Sequence, residues 1–167
     1  IQSSQIKSNN SRYFWLYGSF LSAILLILSF HNPKYSFLAW VSLAPIFIII
    51  INEKPKKILI SSIIASSIFN AFYLIWMKEY KHPLSLPGVV FVETIYFCLA
   101  VILTKILSAN LDFLGEIRFP VAWLCIDYLK TIGFLAFPWG ILGYSQYKNL
   151  VLIQSASIFG VWGITFL

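Results

Sequence analysis

The sequence is poor in charge. Charged residues make up 11% of its 167 residues, less than half the share of about 25% that soluble domains carry. It has only two cysteines and two histidines. Cys98 and Cys125 lie inside apolar runs, and no metal-ligand spacing surrounds His31 or His82. Glycine-rich phosphate loops and Ser-His-Asp sets are also missing. We therefore expect a membrane protein with no disulfide framework, metal or cofactor.

The basic residues carry topology information. The net charge is +6, but these residues stand singly or in one short cluster between apolar runs. They form no stripe that could follow a phosphate backbone, so we expect no nucleic-acid partner. They are better interpreted as signals that orient membrane helices.

Six apolar runs are each long enough to cross a bilayer, which takes about 17–25 residues. They lie at about 13–30, 35–51, 58–77, 89–107, 119–137 and 150–167. The first run has no small-residue cleavage site and is followed at once by another, so it is predicted to be a permanent helix. The prediction is an all-α, polytopic helix bundle over 13–167, with six transmembrane segments after a cytoplasmic segment 1–12. Because the chain lacks an initial Met and stops inside an apolar run, we expect a fragment.

The distribution of Lys and Arg orients the predicted helices. With the N-terminus inside, the inner segments contain Lys7, Arg12, Lys54, Lys56, Lys57, Lys105 and Arg118. The outer segments contain Lys34, Lys78, Lys81 and Lys148. Aromatic residues near the run ends agree, with Tyr13 and Trp15 at the inner start of the first run and Tyr73 and Trp76 at the outer end of the third. This orientation puts 137–148 on the outer face.

Ionisable residues inside the runs are candidate site residues, because a charge at bilayer depth costs about 2.5–3.5 kcal/mol on insertion scales. Asp127 and Lys130 are three residues apart and so share one helix face. The same helical arc would contain Trp123, Phe134 and Phe137. Two interpretations are open: a structural ion pair that pins the helix, which the residues alone favour, and a substrate role. Glu93, one turn from the start of the fourth run, is predicted to reach the head groups.

A turn is predicted at Phe137–Gln146, between the fifth and sixth runs. Its helix-breaking residues are Pro138, Gly140 and Gly143. Non-helical backbone at this depth must be buried in protein or line a wet cavity. Its amphipathic side chains, suited to a phospholipid head group or glycerol ester, are Trp139, Tyr144 and Gln146. An interfacial loop with ordinary aromatic anchors explains the same residues and is favoured on composition alone.

The last third of the chain resembles the membrane part of bacterial apolipoprotein N-acyltransferases. The stretches that carry the resemblance are Trp123-Leu-Cys-Ile-Asp127-Tyr-Leu-Lys130, Phe137-Pro-Trp139-Gly, Gly143-Tyr-Ser-Gln146 and Gly160-Val-Trp-Gly163-Ile-Thr-Phe. Weaker support comes from 38–45 in the second run. The family usually has Glu and Arg where this chain has Asp127 and Lys130. Charge and spacing are kept, but Lys cannot make the bidentate contacts of Arg.

The resemblance implies an acyltransferase of the bacterial inner membrane. Such an enzyme takes an acyl chain from a phospholipid donor and transfers it to the N-terminal amine of the diacylglyceryl cysteine of an apolipoprotein acceptor. In that family a Glu-Lys-Cys set in a nitrilase-like domain performs the chemistry through a thioester. Those residues would follow Leu167, so no catalytic residue is expected in this chain, which is predicted to be inactive alone.

The role that the resemblance implies for this chain is to hold lipid and lipoprotein below the active site. Its candidate lipid-positioning residues are Trp123, Asp127, Lys130, Trp139, Tyr144 and Gln146. The alternative is a non-catalytic polytopic protein, such as half of a transporter or a membrane assembly factor, which the helix count and the ion pair fit equally well.

Overall fold

The computed structural model describes residues 13–167 of the chain, apart from the side chains of 112–114. The predicted cytoplasmic segment 1–12 lies outside the described residues. The described backbone is helical and contains no strand. Its α-helices are α1 Phe14–His31, α2 Ala39–Ser42, α3 Ala44–Asn52, α4 Pro55–Tyr73, α5 Ser85–Asn110, α6 Arg118–Leu129, α7 Leu150–Gln154 and α8 Ala156–Phe166. Its 3-10 helices are Pro33–Leu38, Ile75–Tyr80, Asp112–Ile117 and Leu142–Gln146.

Small residues allow the helices to pack closely. α4 packs against both α1 and α5, and α6 packs against α5. Buried serines line these contacts, and Ser22 Oγ donates to the Ser42 carbonyl at 2.5 Å. At Gly18 a Cβ atom would lie 2.9 Å from Ile49 Cδ1, so a larger residue there would make the Ile49 side chain shift. Packing through small residues is the usual way in which membrane helices associate, because lipid offers no hydrophobic driving force.

Three helical stretches among residues 13–167 are long and apolar enough to cross a membrane. They are Phe14–His31, Pro33–Asn52 and Ser85–Asn110, which correspond to the first, second and fourth predicted runs. The 19 residues of α4 are long enough, but Lys56 and Lys57, together with four serines and an asparagine, lower the hydropathy of that helix. The serines Ser61, Ser62 and Ser66 are buried against neighbouring helices. The all-α prediction is confirmed, and length and hydropathy support three of the six predicted spans as candidates.

The predicted helix over 119–137 is wrong beyond Leu129. α6 has 12 residues, which rise about 18 Å, well short of the roughly 30 Å hydrocarbon core. The chain then leaves the helix, and Gly133 takes a φ of +87° that side-chain-bearing residues resist. Phe134 is fully exposed and does not share the buried face of Asp127, contrary to the predicted arc.

The sixth run is also interrupted. It forms α7 and α8, which meet at Ser155, and Gly160 inside α8 has non-helical angles of φ 63° and ψ −171°. The prediction of one continuous helix over 150–167 is therefore wrong. Apolar composition alone did not reveal the break, because glycine is common in membrane helices and only its backbone angles mark the kink.

Contacts between distant segments define two ends of the bundle. At one end, Lys105 Nζ donates to the Ile50 carbonyl at 2.7 Å. At the other, Gln146 Nε2 donates to the Ser36 carbonyl at 2.7 Å. The first pair belongs to segments predicted to be inside and the second to segments predicted to be outside. Segments predicted to lie on the same side of the membrane thus meet at the same end of the bundle. Which side of the membrane each end faces stays a prediction.

We expect an impermeant maleimide to label a cysteine at position 148 and not one at position 56. Lys148 is exposed in the turn before α7, and Lys56 is exposed in the first turn of α4, at the opposite end of the bundle. The experiment uses Lys148→Cys and Lys56→Cys separately, in the full-length protein with Cys98, Cys125 and every cysteine outside residues 1–167 replaced by Ala, in right-side-out membrane vesicles. Labelling both after detergent treatment is the control for reactivity. Labelling of position 56 in sealed vesicles would mean that the orientation is inverted.

Candidate functional site

A cluster of three charged side chains lies in the interior of the bundle. Lys130 Nζ is 2.9 Å from Glu93 Oε2 and 3.3 Å from Asp127 Oδ1. The exposed fractions are 7% for Lys130, 2% for Glu93 and 1% for Asp127. The predicted pairing of Asp127 with Lys130 is thus present, and a second carboxylate joins it. We call Glu93, Asp127 and Lys130 the charge cluster.

The prediction that Glu93 reaches the head groups is wrong. Its side chain lies on the face of α5 that packs against α6, where Lys130 is available to neutralise it. The sequence held a signal for this. Buried residues follow Glu93 at helical spacing along α5, namely Thr94, Tyr96, Phe97, Ala100, Val101 and Thr104. Glu93 therefore begins the inward face of its helix.

Lys130 links the charge cluster to the turn. It is the first residue after α6 and keeps helical angles, so its side chain stays on the face of Asp127. Its carbonyl accepts a hydrogen bond from the N–H of Phe137 at 2.9 Å. Tyr96 of α5 adds a second tie, because its hydroxyl donates to the Leu135 carbonyl at 3.4 Å. The start of the turn is therefore fixed to the same two helices that supply the carboxylates.

Burial makes the charge cluster sensitive to the loss of any member. Removing charges from water is costly, and the cost is offset only while the partners are in place. Two carboxylates share one ammonium group here, so Lys130 offsets repulsion between Glu93 and Asp127 as well as their burial.

The exposed part of the turn is aromatic. Trp139 is 43% exposed, and its ring centroid lies 4.9 Å from that of Trp76 and 6.0 Å from that of Phe137. Tyr80 extends the series, at 6.0 Å from Trp76. We call Tyr80, Trp76, Trp139 and Phe137 the aromatic row. Sequence reasoning identified Trp76 only as an interfacial anchor. Its pairing with Trp139 joins two segments that are far apart in sequence, so no local pattern could reveal it.

Gln146 lies apart from the aromatic row and is buried. Its Nε2 donates to the Ser36 carbonyl and to Ser145 Oγ, at 2.7 and 3.0 Å. The side chain therefore ties the 3-10 helix Leu142–Gln146 to the 3-10 helix Pro33–Leu38. Tyr144, by contrast, is 45% exposed.

The glycines of the turn meet two different requirements. Gly140 has a φ of +70°, which favours glycine. Gly143 is needed for space, because a Cβ atom would lie 2.8 Å from the Val161 carbonyl oxygen of α8. Its N–H donates to Thr165 Oγ1 at 3.1 Å. Pro138 is exposed and lies well after the end of α6, so it does not end that helix.

The predicted site residues thus fall into two groups. Trp123 packs edge-on against Phe97 at 4.8 Å, and it lines one small cavity together with Asp127 and Lys130. Trp139 and Tyr144 stay exposed. Among the residues that the structure describes, no group of three or more His, Cys, Asp or Glu side chains could hold a metal ion.

Membrane-length helices, large apolar side chains on the outer surface and a charge cluster inside define an α-helical membrane protein. Residues 22–167 match the family model described as the apolipoprotein N-acyltransferase N-terminal domain. The chain therefore belongs to the apolipoprotein N-acyltransferase family.

Individual relatives agree with the family match. The chain is 33% identical over 156 residues to an apolipoprotein N-acyltransferase of Geobacter metallireducens, covering 88% of this chain and 30% of that protein. It is 30% identical over 151 residues to apolipoprotein N-acyltransferase 1 of Treponema denticola, covering 88% of this chain and 28% of that protein. The chain spans less than a third of the length of these relatives. No solved structure matches it.

Replacing Lys130 with Met should destabilise the fold by about 3–5 kcal/mol, because two buried carboxylates would lose the one cationic partner that residues 13–167 give them. The matched control is Lys57→Met. Lys57 also contacts a carboxylate, Glu53, at 2.8 Å, but 38% of its side chain is exposed, so about 0.2–1 kcal/mol is expected. Denaturant unfolding of the purified full-length protein measures both. Equal losses would contradict a stabilising role for the charge cluster.

Proposed function

We propose that this chain is the membrane-embedded part of an enzyme that acylates lipoproteins in the bacterial inner membrane. The full enzyme would move an acyl chain from a phospholipid to the N-terminal amine of the diacylglyceryl cysteine of an apolipoprotein. Support comes from the family match over 22–167 and from relatives named apolipoprotein N-acyltransferase. These names favour an enzyme over a transporter half or an assembly factor.

The proposal includes six crossings of the bilayer. The other three crossings would be made by α4, by α6 with the turn that follows it, and by α7 with α8, in addition to the three candidate spans. Broken helices are compatible with membrane depth when their free backbone groups are satisfied within the protein. Hydrogen bonds of this kind occur at Phe137, whose N–H reaches the Lys130 carbonyl, and at Gly143, whose N–H reaches Thr165.

We assign a positioning role, without bond chemistry, to the described residues. Cys98 lies on α5 and Cys125 is exposed on α6, and among the described residues neither belongs to a group of three or more His, Cys, Asp or Glu side chains. A thiol in apolar surroundings is a poor nucleophile. The acyl intermediate would form in the part of the full enzyme that this chain does not include. Holding a lipid in place below that part would reduce the entropic component of the barrier.

The observation that carries the positioning role is the exposed aromatic row. Trp139 presents an amphipathic ring at the surface of the turn, with Trp76 beside it. Indole rings prefer the boundary between hydrocarbon and head groups, because they combine a large apolar face with one N–H donor. The ester region of a phospholipid offers acyl chains and carbonyl acceptors at that depth. We propose that Trp139 contacts the lipid, with Tyr144 as a second exposed contact.

The buried candidates receive a different role from the one first expected. Trp123, Asp127, Lys130 and Gln146 are at most 8% exposed, so they present little surface to a phospholipid outside the bundle. We propose that they hold the turn in place from below. In this interpretation Asp127 and Lys130 form a structural ion pair, and that pair acts on the substrate only indirectly, by holding the turn that contacts the lipid. The proposal thus combines the structural role and the substrate role that the sequence left open.

In the complete enzyme, Trp139→Phe should lower acyl transfer several-fold at normal protein level. Phe keeps most of the apolar contact but loses the N–H, and one such hydrogen bond is worth roughly 0.5–1.5 kcal/mol. The rate of formation of triacylated lipopeptide, over a range of phospholipid concentrations, measures the effect. Trp40→Phe is the control, because Trp40 is similarly exposed, at 50%, but lies outside the aromatic row. A wild-type rate for Trp139→Phe would leave the turn as an interfacial anchor only.

Residues 1–167 expressed alone should transfer no acyl chain, because the proposed chemistry lies outside them. The purified segment is incubated with phospholipid and a diacylated lipopeptide, beside the full-length enzyme and a protein-free sample. Triacylated product above the protein-free level would locate a nucleophile within these helices. That result would contradict the proposal that residues 1–167 position the lipid without performing bond chemistry.

A further inference from the structure

A small cavity lies between the charge cluster and the turn. Its volume is about 20 Å³, and its walls include all three members of the charge cluster, Trp123, and the backbone region of Gly140 and Leu142. A cavity holds one water molecule from roughly 10–15 Å³ upward. This space therefore fits a single water molecule and is too small for a lipid group.

Three of the residues that line this cavity each carry a buried polar atom with no hydrogen-bond partner among the described residues. These atoms are Glu93 Oε1, Asp127 Oδ2 and Trp123 Nε1. Two of them are carboxylate acceptors and the third is an N–H donor. A water molecule has two O–H groups to donate and lone pairs that accept. One water molecule can therefore donate to the two carboxylate oxygens and accept from the indole N–H. Three hydrogen bonds is also a typical number for a buried water molecule.

We propose that one water molecule occupies this cavity, donating to Glu93 Oε1 and Asp127 Oδ2 and accepting from Trp123 Nε1–H, and that Glu93 is thereby a positioning residue for the turn that carries Trp139. The water site stands on the geometry alone. Its consequence for acyl transfer rests on the proposed function.

Other small occupants fit the three groups less well. A metal cation would be attracted by Glu93 and Asp127, but it cannot accept a hydrogen bond from Trp123 Nε1–H and would face the ammonium group of Lys130. An anion would be repelled by the two carboxylates. A neutral molecule with both donors and acceptors satisfies all three groups, and water is the one that fits the volume.

The water site lies where it can hold the turn. Gly140 and Leu142 form part of the cavity wall, and Trp139 directly precedes Gly140. On the other side, the Lys130 carbonyl holds the N–H of Phe137 at 2.9 Å. Trp139 therefore lies between two points of attachment, one at Lys130 and one at the cavity. Glu93 contributes to both, through its ion pair with Lys130 and through the water.

The water is tested by NMR of the full-length protein in nanodiscs, with the tryptophan indoles labelled with ¹⁵N. Trp123→Phe identifies the Trp123 indole resonance by its loss. We expect a cross-peak between the Trp123 indole proton and a long-lived bound water. Absence of that cross-peak would overturn the water site, whatever the enzyme assay shows.

The positioning role is tested with Glu93→Gln in the same full-length protein. Gln keeps the size of Glu93 but removes the charge that attracts Lys130. We expect the Trp139 indole resonance to shift and the KM for phospholipid to rise several-fold, with kcat per folded enzyme unchanged. The matched control is Glu53→Gln, which removes a carboxylate 2.8 Å from Lys57 in a partly exposed pair, and which should leave both readouts at wild-type values.

The two readouts separate positioning from mere stability. Partial unfolding would reduce the amount of active enzyme at unchanged KM, and it would not move the Trp139 resonance of the folded fraction. A wild-type Trp139 resonance in Glu93→Gln would overturn the positioning role. If wild-type protein transfers no acyl chain, the proposed function fails, while the cross-peak and the resonance shift still decide the present inference.

Discussion

The ammonium group of Lys130, held between the carboxylates of Glu93 and Asp127, is the interaction on which the site depends. It joins α5 to α6 in the interior of the bundle, away from bulk water, where unpaired charges would be strongly unfavourable. The backbone of the same residue then holds Phe137, so the ion pairs and the turn cannot be changed independently. A buried charge cluster thus fixes where the chain leaves the helix.

The turn has non-helical backbone at a depth where water is not available as a hydrogen-bond partner. A chain that leaves the helix at this depth must satisfy its N–H and carbonyl groups without water. Here side chains from distant elements supply part of that requirement, with Thr165 accepting from Gly143 and Gln146 donating to the Ser36 carbonyl. Because the buried face of the turn carries these ties, its outer face is free to present Trp139. This division explains how one short segment can be both rigid and exposed.

Lipid positioning, as we propose it, uses both faces of that segment. The aromatic row provides a surface suited to the ester region of a bilayer. The charge cluster holds the turn that carries Trp139 against α5 and α6. The serine-lined contacts of α1, α4 and α5 give the cluster a rigid surround, since close helix packing leaves little room for side-chain movement. In a family named for acyl transfer, such a platform would align the acyl donor with a reacting group located elsewhere in the full enzyme.

The sequence by itself determined the all-helical class, the pairing of Asp127 with Lys130 and the location of the turn, because apolar content and i,i+3 spacing are local properties. It did not reveal that α6 ends at Leu129, since that run stays apolar beyond it. Only the tertiary structure decided that Glu93 turns inward to Lys130 and that Gln146 binds Ser36, 110 residues away. The physical reason is that a buried polar group is stable only with its partner, and here those partners come from other helices.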